Sequence, residues 1–202
     1  MIKAMIKRAT VVLIGGALMN HFFKAAGYGV GASRIESAGV ATAKQLMRNK
    51  KIMLPKDVVV GSRDGKKAWV VEVSGVASGV ERRRSLSAAT PLCEKPYSIL
   101  DIGPQTIIEY ANHIKSARTL IWNGPMGIYE VKPFSHGTLA LGRLFAARSK
   151  GKAFGVIGGG ETIDAMRKTG LGEYVDFIST GGGAMLEYLG GKKLPGITAL
   201  KK

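Results

Sequence analysis

A chain of 202 residues with 46% hydrophobic content holds enough apolar material for one large or two small packed domains, which excludes a disordered or fibrous protein. Its formal net charge of +16 favours anionic partners such as nucleotides, nucleic acid or an acidic membrane surface, and equally fits a solvated basic surface. The 28 glycines fall in clusters without a period, which points to tight turns rather than a low-complexity linker.

At the amino terminus Lys3, Lys7 and Arg8 precede the apolar run Ala9–Ile14. A charged start followed by an apolar run also describes a secretory leader. A helix tail over Ile2–Arg8 and a buried strand over Thr10–Ile14 ending at Gly15-Gly16 fit better, because the same strand-then-glycine order recurs downstream. After that strand the pattern predicts a helix to about Ala26, then a second helix over Glu36–Lys50 with Lys and Arg in its last turn, as the helix dipole favours. Asp57–Leu100 reads differently: Val58–Val60 and Trp69–Val71 flank the turn signal Asp64-Gly65, which predicts a small strand-rich insert at the sheet edge. Its run Arg82-Arg83-Arg84 reads as an exposed, solvated loop. Cys93 is the single cysteine; it permits no intramolecular disulfide, suits a reducing, cytoplasmic compartment and reads as a small buried hydrophobe.

Pro104–Lys115 predicts a helix with Pro104 in its first turn and Ile107, Ala111 and Ile114 on one face. Thr119–Trp122 then forms a strand that ends in Asn123-Gly124-Pro125. A helix follows over Phe134–Arg148. Ala153–Ile157 is a strand before Gly158-Gly159-Gly160, and Asp176–Ser179 another before Gly181-Gly182-Gly183. No apolar run approaches the roughly 18 residues of a membrane span.

The plan of apolar strand, glycine turn and helix therefore occurs four times. It predicts a doubly wound, mainly parallel α/β sheet, a Rossmann-like three-layer sandwich, forming one domain over residues 1–202. In such a sheet each glycine turn lies at the carboxyl end of its strand, so all four should meet at one ligand-binding edge. Two glycine-rich helix starts at that edge, Gly158–Thr162 and Ser179–Gly183, can grip one polyphosphate from two sides. Glu161 and Thr162 offer oxygens for Mg²⁺ or a phosphate-bound water, while Glu161 equally suits a helix N-terminus. No Walker-type loop or intact GxGxxG follows a strand. His21, His113 and His136 have no metal-ligand spacing, and no Ser-His-Asp set or acid–base carboxylate pair stands out.

Taken together, Ile14–Ala17, Leu54-Pro55 with Asp57-Val-Val, Asp101–Pro104, Trp122–Gly127 with Glu130, Phe134 with Gly137-Thr138, Gly158–Thr162, and Ser179–Ala184 with Leu194–Gly196 resemble the phosphoglycerate kinase family in order and spacing. The match runs from Gly15 to Leu200 and is poor only over about 63–98. The resemblance implies phosphoryl transfer between 1,3-bisphosphoglycerate and ADP, with the glycerate on an amino-terminal domain and the nucleotide on the carboxy-terminal domain that this chain resembles. By position, Gly15, Gly16 and Gly103 would border the adenine, and Pro125 and Ile128, beside Gly127, would close its pocket. Glu130 would hold the ribose, and Asn123 would lie near the phosphates. Gly158, Gly159 and Gly160 would join the nucleotide-binding turn, with Glu161 at the Mg²⁺ and Thr162 on a phosphate. Gly181, Gly182 and Gly183 would offer amides to the transferring phosphoryl group.

Two departures concern side chains: Glu161 stands where the family commonly has Asp, and Met185 where Ser is common. A third concerns the whole chain. The family's strand ending in Gly-Gly-Ala-Lys, its nucleotide-binding lysines and the glycerate-binding arginines are absent from this sequence. The expected partners are ADP or ATP with Mg²⁺, and 3-phosphoglycerate only with a separate amino-terminal half. A sheet edge left open would favour self-association. The competing reading is a non-catalytic basic ADP/ATP-binding module. A specific nucleic-acid binder fits poorly, because no interleaved aromatics or known motif accompany the charge.

Overall fold

The computed structural model describes residues 2–73 and 91–200. In chain order the elements are α1 (Ile2–Arg8), β1 (Val12–Leu13), α2 (Gly16–Ala25), β2 (Gly29–Val30), α3 (Ser37–Leu46), β3 (Ile52–Met53), β4 (Asp57–Gly61) and β5 (Ala68–Glu72). They continue with β6 (Pro91–Cys93), β7 (Ser98–Ile102), α4 (Pro104–Ser116), β8 (Thr119–Asn123), α5 (His136–Ser149), β9 (Phe154–Gly158), α6 (Gly160–Thr169), β10 (Phe177–Ser179), α7 (Gly182–Leu189) and α8 (Pro195–Leu200). The run Arg82-Arg83-Arg84 lies outside the described residues. Two helix boundaries differ from the pattern. The second helix stops at Leu46, leaving Arg48 and Lys50 beyond it, because charge preference marks a helix end without fixing the last hydrogen bond. The helix expected from Phe134 begins as a 3-10 turn over Lys132–Phe134, and α5 starts at His136.

The fold is α/β with mainly parallel pairing. β8, β9 and β10 form one parallel sheet in the order β10-β9-β8, with Trp122 opposite Ile157 and Ile157 opposite Ile178. β1 pairs in parallel with β3, and β2 with β6. Among the described sheets only β5-β4-β7 is antiparallel, with one isolated antiparallel bridge between Gly31 and Ser98. Every residue of β4 and β7 is buried, so these two strands lie inside the domain, with β5 on their outside. One core unites both regions. Met19, Phe22 and Phe23 of α2 pack with Ile14, Val58, Val60, Ile102, Tyr110, Trp122 and Ile157. Cys93 belongs to this core, and burial pushes its thiol up to about 11.

Two features depart from a fully covered, continuous sheet. First, among the described residues β1 pairs only with β3 and β8 only with β9, so each of these two strands has an unpaired side. Second, the β8–β10 strands are not apolar on two covered faces as the sequence pattern suggests. Ile121, Phe154 and Phe177 are 40%, 53% and 56% exposed on one face, where a parallel sheet ordinarily carries a helical layer. α7 reaches this face at the carboxyl end of β9, with Met185 against Gly158, and leaves these three side chains exposed.

Candidate functional site at the carboxyl edge

The centre of the site is the turn after β8, Asn123–Gly127. A turn this short exposes main-chain groups that need partners, and each comes from a different element. Thr162 Oγ1 of α6 accepts the Gly124 N–H at 2.7 Å, and the Trp122 indole N–H donates to the Gly124 carbonyl at 2.6 Å. Thr138 Oγ1 of α5 accepts from the Met126 and Gly127 amides at 3.0 and 3.2 Å. The Gly16 N–H donates to the Met126 carbonyl at 2.9 Å, which ties the turn after β1 to the turn after β8. Gly16 adopts φ 57° and Gly124 φ 91°, backbone that side-chain-bearing residues rarely take up.

On the other side of this turn the remaining two glycine turns close in. Asn123 Nδ2 lies about 3.2 Å from where a Cβ on Gly159 would sit and 3.3 Å from one on Gly182, and a Cβ on Gly182 would come within 2.7 Å of the Gly159 Cα. All four glycine turns therefore share one edge. Gly160 and Gly183 face open space instead. The first amide bonded within α6 is that of Ile163, to the Gly159 carbonyl at 3.0 Å, and within α7 that of Met185, to the Gly181 carbonyl at 2.8 Å. The amides of Gly160, Glu161 and Thr162, and of Gly182, Gly183 and Ala184, have no hydrogen-bond partner among the described residues. Helix geometry leaves such first-turn donors for caps, water or an anion.

The other residues singled out from the sequence take varied positions. Glu161 is exposed in the first turn of α6. Thr162 is fully buried, with its hydroxyl on Gly124, one layer behind the exposed edge. Glu130 is exposed beside buried Tyr129, whose hydroxyl donates to Asp164 Oδ2 at 2.9 Å. Burial first, then that bond, raises the Tyr129 phenol. Ile128 packs on Val59, Leu100 and Phe134. Pro125 carries the carbonyl that approaches Gly16, and Gly15 abuts Met126. Gly103 caps α4 against the Asp57 carboxylate, and Gly127 lies on Asp101. Met185 lies against Gly158. Among the described residues no group of three or more His, Cys, Asp or Glu side chains is placed to hold a metal.

The sequence pattern missed the polar groups beneath the edge. The Asp57 carboxylate, 1% exposed, accepts the Gln105 and Thr106 amides at 2.9 and 2.8 Å and the Thr106 hydroxyl at 2.6 Å, capping α4 from a distant strand. The Tyr110 hydroxyl lies 2.8 Å from the Ile14 carbonyl and 3.0 Å from that of Met53, joining the ends of β1 and β3. Asp101 is fully buried and accepts from the Gly137 amide at 2.8 Å and the Ile102 amide at 2.9 Å. Burial pushes its carboxyl up to about 7, against the opposing effect of those two bonds. It braces the Asn123–Gly127 turn against the start of α5. Asp57, Asp101 and Thr138 stood in matched motifs without a role; the Thr106 and Tyr110 contacts span long sequence separations and leave no local pattern.

A doubly wound α/β domain with glycine-rich helix starts gathered at one sheet edge is the class that this fold and site define. The chain belongs to the phosphoglycerate kinase family: the family model described as phosphoglycerate kinase matches residues 1–192. The phosphoglycerate kinase of Chloroflexus aggregans is 39% identical over 207 residues, covering 99% of this chain and 48% of the relative. That of Chlorobium phaeobacteroides is 40% identical over 200 residues, covering 96% and 46%. The solved phosphoglycerate kinase of Coxiella burnetii superposes with TM-score 0.78 at 34% identity, covering 98% of this chain and 48% of that one. The Pyrococcus horikoshii structure gives TM-score 0.73 at 31% identity over 96% and 46%. The chain thus spans about half the length of the relatives it matches.

Proposed function

We propose that this chain is the nucleotide-binding half of a phosphoglycerate kinase. It would bind Mg-ADP or Mg-ATP at the carboxyl edge and transfer a phosphoryl group only when a glycerate-binding half completes the cleft. The observation that carries the proposal is the pair of bare helix starts at Gly160 and Gly183 on the edge where all four glycine turns meet. Phosphoryl transfer asks for positioning and charge stabilisation more than for a protein base. The unpartnered amides of α6 and α7 suit the phosphates and the group in transfer. Pro125 and Ile128 are assigned to the base, and Glu130, exposed, to the ribose hydroxyls. Thr162 acts through the Asn123–Gly127 turn that its hydroxyl holds.

The donor set fits Mg²⁺: Glu161 supplies one exposed carboxylate at the helix starts, and this cation usually takes its remaining ligands from phosphate and water. When bound it would neutralise phosphate charge.

The test exploits the open space at Gly183. A Cβ at Gly183 would meet nothing within 4 Å, so the thermal transition of Gly183→Val should stay near wild type. The side chain would nevertheless stand where the phosphates approach. Calorimetry should then give at least about a tenfold loss of Mg-ADP affinity, or about 1.4 kcal/mol. Unchanged affinity in the folded variant removes the site. Binding without any turnover in the completed cleft would instead favour a non-catalytic nucleotide module.

A further inference from the structure

We infer that the amino-terminal edge of the sheet, opposite the nucleotide edge, is a docking surface for the phosphate backbone of duplex nucleic acid, read without sequence preference. Of the first 51 residues nine are Lys or Arg and one, Glu36, is acidic, a net charge of +8 that is half the chain's total of +16. Glu36 is itself engaged by Arg34 at 3.7 Å. Two contacts bring the other charges together. Lys3 Nζ of α1 donates to Gln45 Oε1 of α3 at 2.6 Å, and Lys51 Nζ donates to the Ile6 carbonyl in the last turns of α1 at 3.0 Å. Around this seam Lys7, Arg8, Lys44, Arg48 and Lys50 are exposed, and none pairs with a carboxylate among the described residues. The carboxyl ends of α1 and α3 lead into β1 and β3, so this patch lies at the strands' amino ends, away from the glycine turns.

Helix dipoles account for a cation or two at each helix end. They do not account for a patch without a neighbouring acid, where like charges repel and call for counter-ions. A polymer with regularly repeated charge engages many such side chains at once. Among the described residues the patch contains no large exposed apolar side chain: Ile6 is buried and Ile2 packs on the core. A membrane surface would need apolar groups to insert. It also has no aromatic side chain for stacking single-stranded bases. Phosphate contacts alone carry no sequence information, which makes duplex backbone the matching occupant.

The experiment is fluorescence anisotropy of the full chain with a short random-sequence DNA duplex from about 50 to 200 mM salt, expecting Kd of roughly 10⁻⁴ to 10⁻⁶ M near physiological salt. The triple variant Lys7→Gln/Arg48→Gln/Lys50→Gln should flatten the log–log salt slope by about 2.7, near 0.9 per lost phosphate contact. The charge-preserving Lys7→Arg/Arg48→Lys/Lys50→Arg should keep the wild-type slope, which separates charge from folding. Excess Mg-ADP should leave duplex binding intact, and its failure to bind would bear on the nucleotide site alone. An unchanged slope in the Gln variant overturns the inference. So does loss of binding on neutralising Arg82, Arg83 and Arg84 instead, or a preference for phosphatidylserine vesicles over duplex.

Discussion

Replacing Asp101 with Asn tests whether a buried carboxylate braces the Asn123–Gly127 turn and, through it, the proposed nucleotide site. Asp101 has no cation partner among the described residues; it holds only the Gly137 and Ile102 amides. Its folded carboxyl keeps its proton to about pH 7, whereas the ordinary value is 3.8. Folding therefore favours the protonated form. Stability from this group is full below about pH 3.8 and is lost as pH rises to about 7, because there the unfolded chain releases the proton more readily. A shift from 3.8 to about 7 amounts to roughly 4 kcal/mol, of which about 2.5 falls between about pH 5 and pH 7.5. Asn removes that dependence and leaves one buried N–H facing an NH₂ group, a pH-independent loss of about 1–3 kcal/mol. Urea midpoints of both proteins should show the wild type losing about 2.5 kcal/mol relative to Asp101→Asn over that interval. A stability difference constant with pH would refute the reasoning, and so would a variant whose Mg-ADP affinity is untouched.

Thr162→Val keeps the shape but removes the acceptor for the Gly124 N–H, so stability should fall by about 1–3 kcal/mol and Mg-ADP affinity with it; a drop in affinity without any stability loss would place the hydroxyl on the ligand instead. Gly182→Ala sets a Cβ within 2.7 Å of the Gly159 Cα and should destabilise by about 1–3 kcal/mol in a urea titration, whereas Gly183→Val should not, and equal stability of the two would contradict the distinction between packed and open glycines. In a coupled assay the chain alone should show little turnover of 1,3-bisphosphoglycerate, and addition of a separately expressed amino-terminal half carrying the Gly-Gly-Ala-Lys strand should restore it; full turnover by the chain alone would refute the need for that half.

The repeated strand, glycine turn and helix made the α/β class legible, because buried parallel strands and glycine turns leave local composition behind. It also made legible that Gly16, Asn123, Gly159 and Gly182 would meet, since topology alone sends each turn to the carboxyl edge. Pairing was not legible. Nothing local to Val12-Leu13 or Thr119–Asn123 says that these strands lack each other as partners. β4, read from Val58–Val60 as part of an edge feature, is buried along its whole length, and so is β7, which the pattern did not single out. The polar scaffold was least visible. Thr106 caps nothing in its own neighbourhood and Tyr110 reaches residues 96 and 57 positions away, so no period or motif marks them.

The glycines of each helix-start motif divide their work, and that division bears on what this chain could do without a glycerate-binding half. Gly159 and Gly182 let two turns pack until one backbone touches the other, while Gly160 and Gly183 leave amides bare. On the proposed function, affinity for a polyphosphate would depend on donors already fixed at this edge and so would belong to this chain. Rate depends on a second reactant held in line with them, and near-attack positioning is worth roughly 7–11 kcal/mol. The open edges of β1 and β8 extend the same logic to the scaffold. Each has main-chain groups on its unpaired side that a further strand could pair. A strand supplied with the amino-terminal half should therefore raise stability as well as turnover. If turnover returned with no gain in stability, the missing contribution would be substrate positioning alone, and the open edges would have no part in it.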